Sequence, residues 1–197
     1  MTKNYEVNMR ALNSAQLPPD YQLDMKMDLK KDKKINIAIQ GVFLFIVALM
    51  IGMAVWLNFP TKSNWSTGVT VLVTVAMCAV YMIMHELIHG IFMKLLSGVR
   101  PKYFARFPFL CTGSEAYFNK RSFGIVALAP VVIWGILLCA MLALLPTDYF
   151  LSIYIVTALN FAGAAGDYFQ VFAISKLSPM ALIQDNGKET KVFLPVQ

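Results

Sequence analysis

Charge is scarce in this chain. Only 14% of its 197 residues are charged, where a soluble domain carries about 25%. The shortfall is concentrated in long apolar runs rather than spread evenly, a pattern that suits a bilayer as solvent and excludes an ordinary soluble domain. Cysteine is also rare, with three in all. Cys78 and Cys139 lie inside apolar runs and Cys111 in a basic loop, so no disulfide framework is expected and all three read as small apolar fillers. No cleavable signal peptide is expected either. The first apolar run begins only at Ile35, after a long polar segment, and is too long for a signal h-region. The formal charge of +6 could point to nucleic acid. The basic residues, however, avoid the apolar runs and collect between them, as membrane orientation requires, so no nucleic-acid partner is expected.

Four runs carry the apolar residues: about 35–57, 68–96, 123–145 and 150–174. The first, Ile35–Leu57, is 23 residues without a charge. At about 1.5 Å per residue it can cross a hydrocarbon core of about 30 Å. The expected fold class is therefore an all-α polytopic membrane protein with four transmembrane helices. Residues 35–176 form its core, flanked by an N-terminal segment 1–34 and a C-terminal tail 177–197. Of the 17 Lys and Arg residues, Lys62 alone falls in the connectors Asn58–Thr67 and Pro146–Tyr149. The positive-inside rule then puts both termini in the cytoplasm of a multi-pass cell-membrane protein. Short loops suit a bacterial plasma membrane.

The cytoplasmic loop between the second and third spans mixes Tyr103, Phe104, Phe107, Phe109, Tyr117 and Phe118 with Arg100, Lys102 and Arg106. One reading is an interfacial belt of rings and cations at the lipid headgroups. The other is a short β-hairpin turning near Thr112-Gly113, whose edge could meet an extended substrate.

The chemistry sits in His85-Glu86-Leu87-Ile88-His89. On a helix, positions i and i+4 share a face, so both imidazoles can reach one zinc ion. Glu86, beside that face, can take a proton from a water that the metal acidifies. These are the only two histidines in the chain, and two histidines plus a carboxylate inside one span are costly unless they serve a function.

A catalytic zinc commonly takes three protein ligands and leaves one position open. The third must be Asp, Glu or, less suitably, Cys. His85 lies 17 residues after Gly68 and Asp167 lies 17 residues after Phe150, on spans that run in the same direction. Each then sits ~26 Å from its outer end, at matched depth. Asp167 is also the only charge in its span, which favours it as the ligand. Glu115 is the competing candidate, in the solvated middle loop. Asp148 lies near the outer surface, and Cys78 is two helical turns from His85. Gly163 and Gly166 would let another helix approach closely. Asn160 could either form an interhelical hydrogen bond or orient a substrate backbone.

With these residues in place the chain resembles the site-2 protease type of intramembrane zinc peptidase. More closely it resembles a family of short bacterial membrane proteins described as putative zincin peptidases. Leu17-Pro18-Pro19-Asp20-Tyr21 looks like that family's N-terminal entry, and His85–Gly90 like its zinc helix. Ile125–Pro130 is similar to the third core span of site-2 proteases, and Asn160 with Gly166-Asp167 to the last motif. The resemblance implies His85, His89 and Asp167 as ligands of one zinc and Glu86 as general base. It also implies a membrane-embedded or membrane-proximal peptide as substrate. The Leu-Asp-Gly and Asn-x-x-Pro signatures of better-known site-2 proteases are absent, and no peptide-binding domain is appended. Two other classes use the same residues: a metal transporter or sensor, and a partner protein with a dead catalytic centre. One compact site with an adjacent glutamate suits transport poorly, and every expected catalytic residue is present. The sequence names no substrate and no oligomeric state.

Overall fold

Asp32 starts the first long helix of the computed structural model. Its side chain accepts from the backbone N–H groups of Lys34 and Ile35, satisfying two of the donors that a helix start leaves open. The structure describes residue 13, residues 15–106 and residues 109–196. Most of the N-terminal segment before residue 13 and Phe107 of the aromatic loop therefore lie outside the described residues.

Among the described residues, five α-helices follow in chain order: α1 (Lys33–Trp56), α2 (Thr67–Ser97), α3 (Lys120–Leu144), α4 (Phe150–Gly163) and α5 (Ala165–Ser175). Helix α2 is capped at Ser66, which accepts from Val69 N–H. Helix α3 is capped at Asn119, which accepts from Ser122 N–H. With α4 and α5 taken as one rod, four helices are long and apolar enough to cross a membrane, as the apolar runs predict. The fourth is not continuous. It breaks at Ala164, between Gly163 and Gly166, where small residues with little to hold the backbone let the axis shift. The break leaves Asp167 in the first turn of α5.

The all-α expectation needs correcting, because among the described residues six short strands accompany the helices. Strands β1 (Tyr21–Met27), β4 (Phe118–Asn119), β5 (Leu182–Asp185) and β6 (Thr190–Pro195) form an antiparallel sheet in the order β1-β6-β5-β4. The N-terminal segment and the C-terminal tail thus meet in one sheet. Strands β2 (Lys102–Arg106) and β3 (Phe109–Gly113) pair as a hairpin. Their last rung is Arg106 with Phe109, so the chain reverses there and not near Thr112-Gly113, which lie inside β3. The reason is pairing: Thr112 and Gly113 sit opposite Tyr103 and Lys102, inside the ladder. Phe118 is no headgroup anchor, since it is fully buried in β4.

Two apolar clusters hold these parts together. One joins the sheet to the helix ends through Met93, Phe118, Phe123, Ile174, Ile183 and Val192. Fully burying side chains of this size is worth about 1.5–3 kcal/mol each against water. The other packs Tyr81, Leu138, Ile153 and Val156 between α2, α3 and α4. The site lies between the two.

Candidate metal centre

His85 and His89 stand one turn apart on α2, and the start of α5 brings Asp167 across to them. The two Nε2 atoms are 3.2 Å apart. Asp167 Oδ2 is 3.6 Å from His85 Nε2, and its Oδ1 is 3.7 Å from His89 Nε2. Among the described residues, these three form the group whose ligand atoms all lie within 4.8 Å of one another.

The hydrogen bonds fix which nitrogen of each ring is free. His89 Nδ1 lies 2.9 Å from the carbonyl oxygen of Val126. A carbonyl can only accept, so Nδ1 carries the proton and Nε2 is left with its lone pair. Tyr81 donates its hydroxyl proton to Asn160 Oδ1 at 3.1 Å. That hydroxyl must then accept from His85 Nδ1, 2.9 Å away, which leaves His85 Nε2 bare as well. Two Nε2 atoms and a carboxylate therefore converge with both Nδ1 atoms turned to other partners, a donor set that suits a metal cation. A tetrahedral zinc site with bonds of about 2.0–2.2 Å has ligand–ligand edges of roughly 3.3–3.6 Å. The observed spacings fit it closely.

Glu86 stands next to His85, half-buried, on the wall of a cavity of about 550 Å³ that His89 and Asp167 also line. Its backbone carbonyl accepts from Thr112 Oγ1 at 2.9 Å, which ties β3 to the metal helix. The following turn is tied as well. Gly90 has no side chain, and a Cβ there would run into the Tyr103 hydroxyl and ring of β2. The hairpin can approach His89 only because residue 90 is glycine.

Asn160, for which the sequence leaves an interhelical hydrogen bond and a substrate contact both open, spends its amide inside the protein. It is fully buried, accepts from Tyr81, and donates to the Val131 carbonyl at 3.1 Å. It supports His85 through Tyr81. Glu115 pairs with Lys102 at 2.9 Å in the exposed loop, away from the three ligands. Asp148 is held in the opposite connector by Asn64 and Ser63.

Several contributors were not anticipated. Tyr81 had a usable signal, because it precedes His85 by four residues and so shares its face. The Val126 carbonyl carried none. Asp185 and the turn after it, from the polar tail, also line the cavity. Asp185 Oδ1 accepts from Gly187 N–H at 2.7 Å. Burial pushes its carboxyl up to about 6, against the pull of that hydrogen bond and of His89, while Asp167 and Glu86 push the same way as burial.

A family model described as putative zincin peptidase matches residues 78–182, more than half of the chain and inclusive of every residue of the metal group. No curated protein and no solved structure matches.

Proposed function

The chain belongs to the putative zincin peptidase family, and from that membership we propose that it is a zinc-dependent metalloendopeptidase working in the membrane on membrane-embedded or membrane-proximal peptides, in the manner of site-2 proteases. The observation that carries the reading is the convergence of two Nε2 atoms and the Asp167 carboxylate, with both Nδ1 atoms hydrogen-bonded elsewhere.

Zinc held by His85, His89 and Asp167 would supply a Lewis acid that acidifies an entering water and polarises a peptide carbonyl. Glu86 takes the proton from the attacking water and returns it to the departing amine nitrogen. A helical substrate hides its carbonyls in its own hydrogen bonds, so the scissile segment must be unwound to react. A cavity of about 550 Å³ accommodates a short extended stretch. The β2–β3 hairpin, fixed beside Glu86 by Thr112, offers strand donors and acceptors for such a stretch. Basic residues gathered at the N-terminal segment, middle loop and tail support a site that opens toward the cytoplasm.

The test is metal content of detergent-purified protein, followed by cleavage of captured substrate. Wild type is expected to carry about one zinc per chain, and His85→Ala and Asp167→Ala to lose it, as a three-ligand site requires. Glu86→Gln should keep the zinc and lose cleavage. Retained cleavage by Glu86→Gln would sink the mechanism, and wild type free of zinc would sink the enzyme.

A further inference from the structure

A proline stands in the middle of α3. Pro130 has no N–H, so the carbonyl of Val126, four residues earlier, has no helical donor, and the ring crowds that carbonyl away from the axis. Val126 and Pro130 are both buried, and an orphaned carbonyl inside an apolar bundle must be satisfied by a neighbouring element. The donor present is His89 Nδ1, at 2.9 Å.

We propose that Pro130 is a positioning residue for the metal centre: by withholding its own N–H it leaves the Val126 carbonyl for His89, which fixes the proton on Nδ1 and turns Nε2 toward the metal. The inference rests on the zinc reading above. The geometry around it is consistent along the same helix. The other relay, from His85 through Tyr81 to Asn160, ends on the carbonyl of Val131. Both histidines are thus anchored to α3, by carbonyls on either side of the proline. A regular helix would tie the Val126 carbonyl to the N–H at position 130, and His89 would compete for it. Partners of this kind typically govern metal affinity by 10–100-fold.

The experiment uses the full chain in detergent. Zinc affinity is read by competition with a chromophoric chelator, and ligand geometry by the visible spectrum of the cobalt-substituted protein. Pro130→Ala restores the N–H and favours helix. It is expected to weaken zinc binding about tenfold or more and to shift the cobalt spectrum, with helical content by circular dichroism unchanged. A second variant carries the α-hydroxy analogue of alanine at position 130, an ester link that has neither ring nor N–H. It should recover wild-type affinity and spectrum. Equal affinity and spectrum in Pro130→Ala would overturn the proposal while leaving the zinc site standing. Failure of the ester variant to recover would also overturn it, by showing that the ring and not the missing donor matters. A wild type that binds no zinc would remove the reading beneath both.

Discussion

Tyr81 connects a metal ligand to the helix core with a single oxygen. That oxygen accepts from His85 Nδ1 and donates to Asn160, so removing it strands a donor and an acceptor in a buried place. Tyr81→Phe keeps the ring that packs edge-on against Trp134 and His85 and deletes only the hydroxyl. The expected result is zinc affinity about tenfold weaker, with thermal stability lowered by about 1–3 kcal/mol. Chelator competition and melting curves check the two effects separately. At this scale the sequence exposed what the motif spacing carries. His85 and His89 share a face because they are four apart, and Asp167 stands out as the lone charge of its span. Tyr81, Asn160 and the Val126 carbonyl are of another kind. Their roles depend on which side chain another helix presents, and Asn160 looked like a substrate contact only because nothing in the chain's order says that Tyr81 claims it first.

The hairpin acts as a unit on the metal helix. Thr112 bonds the carbonyl of Glu86, and Tyr103 fills the space left open at Gly90. A larger residue at position 90 must displace the Tyr103 ring that lies over Gly90, without touching a ligand. Gly90→Val is therefore expected to abolish peptide cleavage while zinc content stays at the wild-type level, measured by metal analysis and proteolysis on the same preparation. Zinc lost together with activity would show that the hairpin holds the ligands and not the substrate. The hairpin was legible from its aromatic and basic alternation, but its turn was misplaced. Thr112-Gly113 looks like a turn in isolation, yet both residues pair with β2, Thr112 with Tyr103 and Gly113 with Lys102. Strands β5 and β6 were hidden for a different reason. They are four and six residues long, and Leu182, Ile183 and Gln184 are all buried, so no polar alternation marks them.

Across the whole molecule, the sheet places Asp185 beside the centre that α2 and α5 build. Its carboxyl titrates near 6 in the folded chain, above the usual carboxylate value of about 3.9. The folded state therefore holds this proton more tightly than the unfolded state does. The associated stability is fully present below about pH 4 and is lost as pH rises through about 6. Metal-free protein is expected to melt higher at pH 5 than at pH 7.5 from this group, and Asp185→Asn should flatten the difference. Calorimetry or light-scattering melts in detergent read it directly. An Asp185→Asn variant with the same slope would assign the dependence elsewhere. The four long apolar helices and both polar flanks could be read from hydropathy, whereas the pairing of those flanks could not. Contacts between residues 21–27 and 190–195 leave no local mark.

That pairing has a consequence in time. Strands β5 and β6 follow the described helices in chain order, yet Asp185 and residues 187–190 line the cavity that Glu86, His89 and Asp167 also line. During biosynthesis His85, Glu86, His89 and Asp167 all emerge before the strands that wall that cavity. On the proposed reading, a nascent chain gathers the pieces of the centre while the wall that β5 and β6 add to its cavity is still unbuilt.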